Sequence, residues 1–215
     1  MEELPHRNTR EILLAELDNH PLLTDQDRSH ILLVLEGLKQ ACVIELVNPD
    51  KAGYVSGHED EYEQNTEDFN NTVRELEELF RKLNIPYYML AEHVEEEEGL
   101  AACTVNEFFI GKDPGTLEKL KNMEAEPDDE KKQTEFARIM DIPATAIDAW
   151  NHGNIKDPKT LPDSIKKSEL INFVDFALSA DHWQEELEFV KKRADAIKNL
   201  APDLYTKIVD ADYIS

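Results

Sequence analysis

Positive charge is scarce in this chain: 23 Lys and Arg stand against 47 Asp and Glu among 215 residues, a formal net charge of −24. Such a surface is not expected to bind nucleic acid, which needs Lys and Arg to displace counterions from phosphate. Docking on anionic lipid is disfavoured for the same reason. Cysteine is scarcer still. Cys42 and Cys103 stand far apart with no second thiol at C-x-x-C spacing, and their apolar contexts predict buried free thiols rather than a disulfide framework or a thiolate metal site. Long hydrophobic runs are missing too. No stretch reaches the roughly 20 apolar residues that span a bilayer, and the opening MEELPHRNTREILL has neither the basic start nor the apolar core of a signal peptide. A cytoplasmic protein without a membrane partner is the expectation.

The motifs of familiar chemistry are absent as well. His6, His20, His30, His58, His93, His152 and His182 include no H-x-x-x-H or H-E-x-x-H pair that would set two ligands on one helical face. His58 and His93 sit beside acids, as solvated acidic loops do, and no EF-hand spacing is present. Cys103 and Ser179 have no local signature tying them to a base. Gly111 and Gly115 lack the spacing and the following Lys-Ser or Lys-Thr of a phosphate loop and read as turn residues. No catalytic residue, metal or cofactor is therefore expected.

What is present is a foldable core. Hydrophobic residues make up 40% of the chain, with many Leu, Ile and Phe, so the acidity is not that of a disordered polymer. Net charge of this size destabilises a compact state through self-repulsion, which salt screens, so the composition suits a high-salt cytoplasm. The 16 Lys against 7 Arg run the other way, because strong salt adaptation limits Lys.

Along the chain, Asn8 with Glu11 reads as a capping box for a short helix that ends near Pro21. Thr24 with Asp27 starts a second, whose stripe Ile31, Val34, Leu35, Leu38 and Cys42 predicts helix to about Val47. The two make an N-terminal helical hairpin over 1–48, followed by an acidic loop at 49–65. From 66 to 83 the positions Phe69, Val73, Leu76, Phe80 and Leu83 define an amphipathic helix. Strands are predicted near 87–92 and 100–110, joined by the acidic turn 95–99, and again at the apolar run 170–177. Helices are predicted at 116–123, 129–140 and 143–150. Asp181 with Gln184 caps a long helix carrying Trp183, Leu187, Val190, Ala194 and Ile197, and a last one begins near Pro202. The expected fold is one helix-rich α/β (α+β) domain over 1–215. A small mixed sheet of three to four strands is covered by amphipathic helices, and the main body runs over 66–215 with a helical corner at 129–152.

Residues 133–153, QTEFARIMDIPATAIDAWNHG, place Phe136, Met140, Ile142, Ile147 and Trp150 where a helix-turn-helix unit packs, with Pro143 opening the second helix. The segment resembles the core of a DNA-binding helix-turn-helix. Asp141 occupies the turn position that usually holds Gly, and the segment carries Glu135, Asp141 and Asp148 against Arg138 alone. Readers of base edges normally carry Arg, Lys, Asn or Gln there. More widely, FFIGKDPGTLEKL, FARIMDIPATAIDAW and ALSADHWQEELEFVKKRADAI resemble a group of archaeal proteins, mainly halophilic, over about 108–200. That resemblance implies an archaeal, salt-adapted origin and an α/β fold, and it implies no reaction.

Three functional readings follow. The first is a noncatalytic binding or interaction module; residues 50–99 hold 15 acids and 4 bases, which suits a basic protein partner. The second is a small-molecule enzyme with its site at the strand ends near Gly111 or Asp181, where open sheets place ligands. The third is a helix-turn-helix regulator. The candidate pocket or interaction residues are Gly111, Asp141, Pro143, Trp150, Asp181, His182 and Trp183.

Overall fold

A computed structural model describes residues 11–12, 15–17, 19–49, 59–94 and 103–211. The expectations placed on Asn8, His6 and His58, on the side chains of His93 and Cys103, and on the turn 95–99 lie outside the described residues. The fold is α+β and helix-rich, around one three-stranded sheet. Among the described residues no helix is long and apolar enough to cross a membrane.

Helix α1 (Asp25–Leu35) starts at the capping box read from the sequence. Thr24 Oγ1 accepts from the Asp27 amide at 3.1 Å, and Asp27 Oδ2 accepts from the Thr24 amide at 2.9 Å. It stops earlier than expected. Gly37 takes the left-handed conformation at φ 71, and the Leu38 and Lys39 amides turn back to the Leu33 carbonyl. The chain then leaves as strand β1 (Ala41–Pro49), so 41–47, expected as the end of the second helix, is strand instead. Cys42 fits a helical stripe with Leu38, yet Cys42, Ile44 and Leu46 also alternate. Burial of all three on one sheet face selects period two over 3.6.

Helix α2 (Glu59–Lys82) also corrects the expected loop, since residues 59–65 are helical. Its stripe behaves as predicted: Val73, Leu76 and Phe80 are buried, with Phe69 and Leu83 packed beside them. Strands β2 (Tyr87–Val94) and β3 (Cys103–Gly111) follow, and the spatial order is β1-β3-β2. Both pairings are antiparallel, so the sheet is not mixed.

One sheet face, with Ile44, Phe108 and Ile110, packs on α1 and α2. Phe80 and Phe108 are fully buried and meet edge-on, with ring centroids 5.6 Å apart at 81°. The opposite face, with Ala41, Val43, Tyr88 and Phe109, packs on α3 (Pro114–Glu124) and α4 (Glu130–Ile139). Asp113 caps α3 by accepting from the Thr116 amide at 2.7 Å.

Gly111 closes β3 opposite Ala41, and a Cβ there would lie 3.0 Å from Leu117 Cγ. A side chain there would press on Leu117 of α3 and on the Asp113 carbonyl, so the close approach of helix to strand favours glycine at this position. Gly111→Ala is expected to lower the unfolding free energy by about 1–3 kcal/mol, the usual cost of overpacking. An unchanged urea midpoint would mean that Leu117 has room to move aside.

Beyond α4 come α5 (Ala144–Asn151), a short α6 (Asp163–Lys166), a 3-10 turn at Glu169–Phe173, α7 (Trp183–Leu200) and α8 (Pro202–Asp210). The expected strand at 170–177 does not form. Asn172 Nδ2 donates to the Ile208 and Val209 carbonyls at 3.1 Å, Phe173 stacks on Tyr205, and Phe176 meets Phe189. The apolar residues of this run are used as anchors onto α7 and α8, which are helical, so the backbone finds no strand to pair with.

Candidate functional site

Helices α4 and α5 are joined by the four residues Met140, Asp141, Ile142 and Pro143. Asp141 sits at φ 64, the left-handed conformation that a turn glycine would take and that Asp tolerates better than most residues. Its carbonyl accepts from Arg193 Nη2 at 3.0 Å, which ties the turn to α7. Pro143 stands at the N-cap of α5 without a side-chain cap.

The second tie is Glu186, only 1% exposed. Its Oε1 accepts from Thr145 Oγ1 at 2.6 Å and its Oε2 from the Ser179 amide at 2.7 Å, so one buried carboxylate spans α5, α7 and the loop before α7. Asn151 Nδ2 donates to Thr134 Oγ1 at 3.0 Å across the two corner helices. The corner is thereby held from three sides.

Clefts open on both flanks of α5. One, about 280 Å³, has walls of Ala137, Ile142, Ile147, Trp150 and Phe176, with Gln133 and Asn151 as its polar lining residues. Trp150 is 62% exposed there. The other, about 440 Å³, is polar and runs past Arg138, Thr145, Asp148 and His182. Exposed acids dominate this surface: Arg138 is drawn to Glu135 at 3.3 Å, and Asp148 lies 3.4 Å from the exposed His152.

A charged cluster lies behind the corner. Lys39, 5% exposed, places its Nζ 2.8 Å from Asp175 Oδ2, and the Arg193 guanidinium reaches Asp175 Oδ1 at 3.3 Å. His30 Nε2 is 3.4 Å from the same carboxylate. Burial, helped by the Lys39 charge, pushes the His30 imidazole down to about 4, so it is neutral near pH 7. Burial alone would raise the Asp175 carboxyl. The charges of Lys39, His30 and Arg193 outweigh it and hold the group below the usual carboxylate range. Cys42 contributes no nucleophile, because burial pushes its thiol up to about 12.

The residues singled out from the sequence are divided by the structure. Asp141, Pro143 and Trp150 share the corner, and His182 lines its polar flank. Gly111 belongs to the packing of α3 on the sheet. Asp181 does not cap α7: its Oδ2 accepts from Asn154 Nδ2 at 2.7 Å, while Ser179 Oγ accepts from the Asp181 and His182 amides at 3.2 Å. Trp183 packs in the Leu161, Leu178 and Leu187 cluster with the Lys156 ammonium 5.6 Å from its ring. Neither Gly111 nor Asp181 borders the clefts flanking the corner and the sheet, while His182, next to Asp181, lines the polar one. Sequence reasoning missed His30, Lys39, Asp175, Arg193 and Glu186. The available signal was a single acid inside an apolar run, Asp175 in FVDFALSA.

No protein-family model matches this chain, no curated protein matches it, and no solved structure matches it.

Proposed function

We propose that this protein is a noncatalytic interaction module that grips one apolar side chain of a basic protein partner in the Trp150 cleft. The observation that carries the reading is Trp150 itself, 62% exposed above an apolar cleft of about 280 Å³. A large aromatic side chain left in water beside an apolar hollow, on a corner held by buried hydrogen bonds, has the makings of a binding anchor. The volume lies just under the roughly 300–1,000 Å³ of small-molecule pockets and suits one or two side chains of a partner. Glu135, Asp148 and the net charge of −24 favour Lys or Arg flanking that anchor. The α5 segment ATAIDAWN carries no Lys or Arg, which weighs against DNA as the occupant. On the same reading the acidic surface keeps the protein soluble in a salt-adapted archaeal cytoplasm.

Selection from a displayed random-peptide library tests this. Recovered sequences should share an apolar residue flanked by Lys or Arg, and Trp150→Ala should weaken their binding by about 30-fold, corresponding to the ~2 kcal/mol of a Trp anchor. Binding that ignores Trp150→Ala would exclude the cleft as the place where the partner docks.

A further inference from the structure

Most aromatic rings of the fold have a partner. Tyr88 stacks on Phe109 with centroids 4.7 Å apart, Phe173 stacks on Tyr205 at 5.2 Å, and Trp183 has the Lys156 ammonium 5.6 Å from its ring. Phe176, a second aromatic wall of the Trp150 cleft, meets Phe189 edge-on at 6.3 Å and 61°. Trp150, 62% exposed, has neither a ring nor a cation placed against it among the described residues. The ring that would pair with it has to come from outside the chain.

The rest of the lining narrows the choice of occupant. Ala137, Ala146 and Ala177 contribute only methyl groups, which leaves the cleft of about 280 Å³ room for a large flat ring. A branched aliphatic side chain would leave part of that space unfilled and its dispersion contacts unmade. Among the described residues no charged side chain lines the cleft, so a cation of the partner belongs beside it and not in it. Asp148, with its side chain 78% exposed, and Glu135 offer the opposite charge nearby on α5 and α4.

Gln133 and Asn151 are the polar side chains of the lining. Asn151 Nδ2 donates to Thr134 Oγ1 at 3.0 Å in the brace across the corner, and Gln133 Nε2 donates to Asp128 Oδ1 at 3.4 Å. Their amide oxygens are what remains for an occupant. Phenylalanine would cover those oxygens without supplying a donor, which costs their hydration. Tyrosine would donate but would also bury hydroxyl lone pairs with no donor to meet them. The indole of tryptophan is a donor only, and tryptophan anchors on one partner commonly pair with aromatic anchors on the other.

We infer that the Trp150 cleft takes a tryptophan side chain from the partner, an assignment that rests on the interaction reading above. The partner's ring packs against Trp150 and Phe176, its N–H donates to the Asn151 or Gln133 side-chain oxygen, and Lys or Arg next to it in the partner chain meets Asp148 and Glu135.

Capped pentapeptides Lys-Lys-X-Lys-Lys, with X as tryptophan, 1-methyltryptophan, phenylalanine, leucine or alanine, test this when titrated into the full chain and followed by two-dimensional NMR. The tryptophan peptide should bind one site per chain and shift the resonances of Ala137, Ala146 and Ala177. It should bind about fivefold more tightly than the phenylalanine and 1-methyltryptophan peptides, the worth of one net hydrogen bond. The leucine peptide should be weaker still, and the alanine peptide measures diffuse attraction to the acidic surface. Ala177→Leu fills the cleft while leaving Trp150 in place, and should abolish the preference for tryptophan over alanine. A preference that survives Ala177→Leu would put the peptide outside the cleft and overturn the assignment. Equal affinity of the tryptophan and 1-methyltryptophan peptides would overturn the hydrogen bond and with it the choice of tryptophan. Equal binding of tryptophan and leucine peptides, both lost in Trp150→Ala, would overturn the tryptophan assignment and leave the interaction reading standing. Equal binding of all five peptides would overturn both.

Discussion

Replacing Asp175 with Ala is expected to lower the unfolding free energy by about 3–5 kcal/mol, more than the overpacking at Gly111→Ala. The reason is what stays behind. Lys39 is 5% exposed and places its ammonium 2.8 Å from Asp175, and the guanidinium of Arg193 is also buried and reaches the same carboxylate at 3.3 Å. Without Asp175, Lys39 loses its ion-pair partner, and Arg193 is left with the Asp141 carbonyl at 3.0 Å, the Asp141 carboxylate at 3.8 Å and the Phe189 ring, 4.4 Å from its guanidinium carbon. Lys39→Met combined with Asp175→Asn removes one charge of each sign, so the double variant should lose much less than the sum of the two single variants. Urea denaturation of these variants at neutral pH measures this. A loss below about 1 kcal/mol for Asp175→Ala would place the cluster among exposed ion pairs of little worth.

The second large effect is a pH dependence centred on His30. Its imidazole titrates near 4 in the folded protein, against 6.5 for the group's ordinary value. Above pH 6.5 the ring is neutral in both states and costs nothing. As pH falls from 6.5 towards 4 the unfolded chain takes up a proton that the folded protein refuses, so stability is lost across that window and levels off below it. The full loss is up to about 3 kcal/mol, because each pH unit across that window removes roughly 1.4 kcal/mol. His20, also lowered by burial, acts with the same sign, while protonation of surface carboxylates relieves repulsion and acts against it. The stability difference between the protein and its His30→Gln variant, followed by denaturation from pH 7 to 4, isolates the one group. Parallel curves would show that His30 titrates normally. Asp175 adds its own loss at lower pH, as the medium passes through its depressed value.

Much of the helical framework was legible because it is local. The Thr24–Asp27 capping box, the stripe from Phe69 to Leu83 and the stripe from Trp183 to Ile197 depend on residues three and four apart, and all three appear where the pattern puts them. Strands β2 and β3 were legible for the same reason. The corner helices were predicted at 129–140 and 143–150, with Pro143 opening the second; the structure adds that Asp129 caps α4 by accepting from the Lys132 amide. Two apolar segments misled. Residues 41–47 fit both periods, and only the β3 partner, paired from Ala41↔Gly111 onward, makes them a strand. Residues 170–177 had strand composition but lie against α7 and α8, where Asn172 and Asp175 spend their polar groups on helix ends and buried cations.

By itself the sequence determined the helix-rich α+β class, the acidic surface, most helix positions and the Trp150 corner. Each of these follows from composition or from contacts within one turn of helix. Tertiary structure alone decided that His30, Lys39, Asp175 and Arg193 meet, that Glu186 ties α5 to α7, and that Phe176 joins Trp150 in lining one cleft. Those groups are brought together by chain segments far apart in sequence, and no local spacing encodes the desolvation and ion pairing that arise when such segments pack.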